Sequence, residues 1–123
     1  MLIAIHEGGH LFAAKAMRLR VFSMEISGLG GRCWVENPKT TAQALMVHSG
    51  GLIAQLALFL ASIAYIAIWG SRQTLFAGSL LLVFTFWNAF LFVSNLLPVK
   101  RKAPGLSSDG YKIYSLVREL LKK

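Results

Sequence analysis

Charged side chains are scarce in this chain of 123 residues, and acidic ones are the scarcest, with 5 Asp and Glu against 13 Lys and Arg. Charged residues make up 15% of the sequence and apolar residues 55%, whereas an average soluble domain has about 25% and roughly 45–50%. This composition excludes a disordered chain, a nucleic-acid-binding arm and an ordinary water-soluble enzyme. Cys33 is the only cysteine, which excludes a disulfide framework or a cysteine-rich metal cluster within the chain.

Two long stretches of the chain, 40–71 and 73–99, contain no charged residue, and only Arg72 separates them. A helix that crosses a membrane needs about 20 mostly apolar residues to span about 30 Å of hydrocarbon. The sequence therefore predicts two membrane-spanning helices, over 44–69 and 75–97, joined by a tight connection. The alternative is a pair of buried helices in a soluble bundle, but a chain this short offers too little other surface to cover two uncharged helices.

The basic residues are concentrated on one side of these two predicted helices. If the two spans form a helical hairpin, residues 15–43 and the tail after Val99 lie on the same side of the membrane. They carry all but one of the 13 basic residues, and Arg72 alone lies on the other side. The positive-inside rule then predicts that the basic side is cytoplasmic. Anionic lipid headgroups are a sufficient partner for this charge, so no nucleic-acid partner is expected.

The apolar N-terminal segment, 1–17, is predicted to be a helix and contains the motif His6-Glu7-x-x-His10. Residues four apart differ by roughly 40° around a helix, so both imidazoles can reach one metal ion, with Glu7 beside them. Ionisable groups in a membrane segment are costly and mark a functional site by default. The expected metal is zinc, which accepts nitrogen and oxygen ligands and activates water, with Glu7 as the general base.

Two histidines do not complete a catalytic zinc site, so a third ligand must come from elsewhere in the chain. The remaining candidates are one histidine and four acids, namely His48, Glu25, Glu36, Asp109 and Glu119. Asp109 stands out because Ser108-Asp109-Gly110 follows the end of the last long hydrophobic segment, although Asp-Gly alone is also a turn signal. His48 either lines the site or is an interfacial histidine without a catalytic part.

These features together resemble the site-2 protease family of membrane-embedded zinc metalloproteases. The likeness lies in the order of His6-Glu7-x-x-His10, then Asn95-x-x-Pro98 at the end of a later helix, then Asp109-Gly110. It covers nearly the whole chain and corresponds to the family's three-helix catalytic core. Because Ser-Asp-Gly follows a long basic loop, the chain looks most like the divergent bacterial branch of the family. The segment 50–55 lacks the family's Gly-Pro and Asn, whose role is weakened or taken over by Gln55.

The resemblance implies one zinc ion held by His6, His10 and Asp109, with Glu7 as the catalytic base and Asn95 near the bound substrate or the developing oxyanion. Proteins of this family cut membrane-associated protein substrates within or close to the bilayer. The expected location is a bacterial cell membrane, with the basic loop and the C-terminus in the cytoplasm. The alternative, favoured by the short first helix and the altered second-span motif, is a membrane scaffold or pseudoprotease of the same fold that does not cut.

The expected fold is mainly α: a polytopic membrane protein with three hydrophobic helices, a small β-hairpin after the first and a C-terminal amphipathic helix. The predicted boundaries, within a single membrane-embedded metalloprotease core over 1–123, are helix 1–17, hairpin 21–36, helices 44–69 and 75–97, loop 98–110 and amphipathic helix 111–123. The hairpin is expected either to offer an edge to an extended substrate or to serve as a link at the membrane surface.

Overall fold

A computed structural model of the protein describes residues 1–27, 30–70, 74–100 and 107–122. Within these residues the chain forms four helices and a two-stranded antiparallel hairpin. Their order is α1 (Leu2–Ala16), β1 (Val21–Ser27), β2 (Gly30–Val35), α2 (Thr41–Trp69), α3 (Leu75–Leu96) and α4 (Asp109–Leu120). The mainly helical fold and the position of the hairpin after the first helix are therefore confirmed.

Among the described residues, α2 and α3 are the helices long and apolar enough to cross a membrane. Their 29 and 22 residues correspond to about 43 and about 33 Å at 1.5 Å per residue. α2 begins at Thr41, earlier than the predicted residue 44, because the Thr40 side chain accepts a hydrogen bond from the Gln43 backbone N–H and caps the helix. Thr74 caps α3 in the same way. The tight connection predicted between the two spans lies mostly outside the described residues.

Most of the large apolar side chains on α2 and α3 face outward. The exposed fraction is 57% for Leu60, 61% for Ile68, 60% for Leu82 and 68% for Phe86. The core helices of a soluble bundle would show the opposite, because soluble proteins rarely leave a contiguous apolar surface of this size in contact with water. The exposure argues against the soluble alternative and supports a location in lipid.

The prediction of a third hydrophobic helix, over 1–17, is not confirmed as a membrane span. α1 has 15 residues, fewer than the about 20 required, and it contains three ionisable groups that are buried. α1 instead packs antiparallel against the first half of α2, with the backbones of Gly9 and Gly50 in contact. Glycine at both positions allows this approach, because a Cβ on either residue would overlap the carbonyl oxygen of the other.

The hairpin predicted over 21–36 is formed by β1 and β2, which pair antiparallel with Glu25 opposite Arg32. The turn between them, at residues 28 and 29, lies outside the described residues. β2 packs against α1, where Gly31 lies directly against the side chain of Glu7. The hairpin therefore covers the side of α1 that carries Glu7.

The predicted loop 98–110 and amphipathic helix 111–123 have different boundaries in the structure. α4 begins at Asp109, because the Ser108 side chain accepts a hydrogen bond from the Tyr111 backbone N–H and caps the helix. The Asp-Gly pair was predicted as part of the loop and forms the first turn of this helix instead. This correction matters because a helical residue is held far more rigidly than a residue in a loop.

The start of α4 packs directly against the end of α3. Gly110 packs against the backbone carbonyl of Leu96, a contact that any Cβ would prevent. α4 is the most amphipathic of the described helices and ends at Leu120 rather than at the predicted residue 123. Residues 101–106 of the predicted loop, and Lys123, lie outside the described part of the chain.

Candidate metal site

The two histidines of α1 lie one helical turn apart on the face that packs against α2. His6 and His10 are 6% and 8% exposed. Their ring centroids are 4.7 Å apart and the ring planes are nearly perpendicular, at 87°. The two Nε2 atoms lie 3.1 Å apart. This is the arrangement expected of two histidines at positions i and i+4 of a helix that bind the same metal ion.

Asp109 reaches the same point from α4, although it lies 103 residues from His6 and 99 from His10 along the chain. Asp109 Oδ2 is 2.9 Å from His6 Nε2 and 3.0 Å from His10 Nε2. The carboxyl group is buried, like the two imidazoles. The structure thus brings together the three residues that the sequence analysis expects to be ligands.

The outer nitrogens of both imidazoles are held by oxygen acceptors on α2. His10 Nδ1 donates to the backbone carbonyl of Val47 at 2.6 Å, and His6 Nδ1 donates to Gln55 Oε1 at 3.0 Å. A carbonyl oxygen only accepts, so in each neutral ring the proton lies on Nδ1 and Nε2 keeps its lone pair. Contacts of this kind set the tautomer and the ring orientation of metal-binding histidines.

The chemistry of the three inward-facing atoms favours a cation between them. Both Nε2 atoms and the carboxylate Oδ2 present lone pairs to one another, and atoms with facing lone pairs repel at this distance unless a proton or a cation lies between them. A proton on one imidazole would satisfy part of the cluster, whereas a metal ion would satisfy all three atoms at once. Ligand atoms at about 2.0–2.1 Å around a tetrahedral zinc ion lie about 3.3 Å apart, close to the separations of 2.9, 3.0 and 3.1 Å found here. The donor set and its size therefore fit one zinc ion.

The second carboxylate oxygen of Asp109 faces two basic side chains. Lys112 Nζ is 3.4 Å from Oδ1, and His48 Nδ1 is 3.9 Å from it. Burial by itself would raise the pKa of Asp109, but the adjacent His10 and His6 rings, which donate hydrogen bonds to it when they are protonated, and the charge of Lys112 hold it well below its ordinary value. These surroundings favour the carboxylate form, which is the form that binds a metal ion. The structure places His48 at the edge of the site, and its role there stays a prediction.

Glu7 lines a cavity of about 650 Å³ beside the three candidate ligands and is 6% exposed. Residues of α1, β2, α2, α3 and α4 surround this cavity. The contact between Gly31 and the Glu7 side chain makes the hairpin one wall of the cavity. Burial, and to a smaller extent the charge of Glu7, raises the pKa of the Cys33 thiol on that wall, which favours its protonated form.

Asn95, predicted to lie near the substrate, is at the end of α3 and lines the same cavity. Its Nδ2 atom is 3.5 Å from Gln55 Oε1, the oxygen that also accepts from His6. Within the described part of the chain, no hydrogen bond joins Asn95 directly to the three candidate ligands. The proposed role of Asn95 beside the substrate or the oxyanion therefore stays a prediction.

The sequence analysis missed three contributors to the site. The Val47 carbonyl and Lys112 gave no signal in the sequence, because a backbone group and a surface lysine are indistinguishable from many others. Gly51 lies behind the imidazoles, where a Cβ would be 2.6 Å from His10 Nε2. The Gly50-Gly51 pair was a usable signal, since each glycine inside a helix costs about 1 kcal/mol relative to alanine and so indicates a close approach.

Comparison of the chain with protein-family models, with curated proteins and with solved structures found no match in any of the three. The geometry of the site and the motifs in the sequence are therefore the observations that bear on function.

Proposed function

We propose that this protein is a zinc-dependent, membrane-embedded endopeptidase of the site-2 protease type, which cleaves membrane-associated protein substrates. The observation that carries the proposal is the convergence of His6 Nε2, His10 Nε2 and Asp109 Oδ2 within 3.1 Å, next to a buried glutamate. Three protein ligands with a position left for water are typical of catalytic zinc, whereas structural zinc has four protein ligands. A carboxylate that is not itself a ligand favours hydrolysis over metal storage, because it is free to act as a base.

Each polar residue of the cavity has its own role in the proposed reaction. His6, His10 and Asp109 would hold the ion, which when bound would polarise the peptide carbonyl and acidify a water molecule. Glu7 accepts a proton from the attacking water and returns it to the leaving amine. Asn95 Nδ2, on the cavity wall, donates to the substrate's carbonyl oxygen as negative charge develops there.

The site is built on the side of the protein that carries most of the basic residues. It lies between the first half of α2, the end of α3 and the start of α4, all of which belong to that side of the two candidate spans. By the positive-inside rule this is the cytoplasmic face of a bacterial cell membrane, where the basic side chains contact anionic lipids. We therefore propose that cleavage occurs near the cytoplasmic surface of the bilayer.

The zinc content of the detergent-purified protein tests the metal site. We expect about one zinc ion per chain in the wild type and its loss in His6→Ala and in Asp109→Ala. Zinc that is absent from the wild type, or fully retained by Asp109→Ala, would contradict the proposed ligand set.

Glu7→Gln separates catalysis from metal binding, because the amide keeps the shape of the side chain and leaves all three ligands in place. We expect zinc to stay bound while hydrolysis of membrane-anchored reporter proteins falls by about 10²–10⁴-fold. Glu25→Gln, which alters an exposed acid on β1, is the matched control and should keep full activity. Reporter binding that is indifferent to Glu7→Gln, with no hydrolysis by the wild type, would favour the scaffold or pseudoprotease alternative.

A further inference from the structure

Gln55 lies beside the candidate metal site and has 1% of its surface exposed; among the described polar side chains, only Asn88 is more deeply buried. It lies on α2 between α1 and α3, and its Oε1 atom accepts hydrogen bonds from both neighbouring helices. His6 Nδ1 donates to it at 3.0 Å, and Asn95 Nδ2 donates at 3.5 Å, the long end of hydrogen-bond distances. One amide oxygen therefore joins a candidate metal ligand on α1 to the end of α3.

Packing alone does not account for glutamine at this position. Gln55 Nε2 is buried and has no hydrogen-bond partner in the described part of the chain, and an unpaired buried amide is unfavourable. Methionine or leucine would fill a similar volume among the helices without this cost. What an apolar residue would not supply is the acceptor for His6 Nδ1.

The two imidazoles of the site donate to different kinds of acceptor, a side chain for His6 and a backbone carbonyl for His10. The role of Gln55 can therefore be tested by substitution. His10 donates to the backbone carbonyl of Val47, and no substitution removes that acceptor. His6 depends on the Gln55 side chain instead. A substitution at this one position therefore changes the orientation of one candidate ligand and leaves the other's acceptor in place.

We infer that Gln55 is a positioning residue, which fixes the Nδ1–H tautomer of His6 and aims His6 Nε2 at the point shared with His10 and Asp109. The inference rests on the proposed function in that the three residues hold a metal ion. Gln55 is not among the three candidate ligands. It acts through His6.

Titration with zinc and with cobalt tests the inference on the purified full chain. Zinc affinity is measured by competition with a chromophoric chelator, and the visible spectrum of bound Co²⁺ reports the ligand geometry. We expect Gln55→Met to weaken zinc binding by about 10–100-fold, the usual effect of removing a partner of a ligating histidine, and to shift the Co²⁺ spectrum. Gln55→Glu keeps an oxygen acceptor for His6 Nδ1 and should therefore bind zinc more tightly than Gln55→Met does.

Asn88→Leu is the matched control. Asn88 is as deeply buried as Gln55 and donates to the Gln55 backbone carbonyl at 3.0 Å, so its replacement also removes a buried amide from the same pair of helices. It should leave zinc affinity and the Co²⁺ spectrum unchanged. Equal losses in Gln55→Met and Asn88→Leu would overturn the inference, because they would trace the effect to helix packing.

The imidazole ¹⁵N shifts of the metal-free protein give a second measurement that needs no metal. At a pH high enough to keep both imidazoles neutral, we expect His6 to be the Nδ1–H tautomer in the wild type and a mixture of tautomers in Gln55→Met. A wild type that binds no metal would contradict the proposed function, while the tautomer readout would still test Gln55. Wild-type zinc affinity and an unchanged His6 tautomer in Gln55→Met would overturn the inference and leave the proposed function standing.

Discussion

At the scale of single residues, the missing side chain of Gly51 leaves the space on α2 into which the His6 and His10 imidazoles pack. A Cβ at this position would lie 2.6 Å from both His10 Nε2 and His6 Cε1, well inside van der Waals contact. Gly8, on the neighbouring helix, offers the opposite case, because a Cβ there meets nothing within 4 Å among the described residues. The two glycines therefore serve different purposes although both lie inside helices.

Alanine at these two positions gives contrasting predictions. We expect Gly51→Ala to lower zinc affinity by about tenfold or more, since displaced ligands bind metal less well, while α2 stays folded. Gly8→Ala should keep wild-type zinc affinity and stabilise α1 by up to about 1 kcal/mol. Chelator competition and thermal unfolding measure the two effects. Wild-type zinc affinity in Gly51→Ala would show that the imidazoles do not lie against this part of α2.

The candidate site was predictable from the sequence only in part. The spacing of His6 and His10 sufficed to place both on one face of a helix, because the helical period fixes that relation locally. The expected third ligand, Asp109, followed from the family resemblance, and the structure brings it to the two imidazoles. The acceptors that orient the imidazoles could not be assigned, because their contacts depend on how α1 and α2 pack and on residues 37 and 49 positions away.

At the scale of elements, the start of α4 is what carries Asp109 into the site. Ser108 Oγ accepts from the backbone N–H of Tyr111 at 3.3 Å and from that of Val99 at 3.0 Å, and it donates to the Leu97 carbonyl. A single side chain thus caps α4 and ties its first turn to the end of α3. The sequence signal for this cap was present in Ser-Asp-Gly, but the same residues also favour a turn, and only the packing of Gly110 against α3 decides between the two.

Removal of the α4 cap should therefore weaken the metal site. We expect Ser108→Ala to cost about 1 kcal/mol of stability and to lower zinc affinity by up to about fivefold, the equivalent of that free energy. Ser115→Ala is the control, because Ser115 Oγ bonds only to the Lys112 carbonyl among the described contacts and caps nothing. Thermal unfolding and chelator competition on both variants check this. Equal zinc affinities in the two variants would mean that the cap does not position Asp109.

At the scale of the whole molecule, α2 is the element on which the other helices assemble. It contacts α1, α3 and α4, with its first half against α1 and its middle residue, Gln55, bonded to Asn88 of α3. Among the described residues, α2 and α3 are long and apolar enough to cross a membrane, as the sequence predicted for the two spans. α1, the third predicted hydrophobic helix, carries His6, Glu7 and His10 and is not confirmed as a span. Hydrophobic length predicted α2 and α3 well. It could not distinguish α1 from a span, because the apolar character of α1 resembles that of α2 and α3.

The orientation of the molecule can be tested with one cysteine at each end of α2. In a Cys33→Ser background, Lys39→Cys lies before the helix, and Arg72→Cys lies after it, in the segment outside the described residues. Because all but one of the 13 basic residues lie on the side of Lys39, the positive-inside rule requires that side to be cytoplasmic. A membrane-impermeant maleimide should therefore label position 72 in intact spheroplasts and position 39 only in inverted vesicles. Labelling of both positions in spheroplasts would argue that α2 does not span the membrane, and the reversed pattern would place the candidate metal site on the outer face.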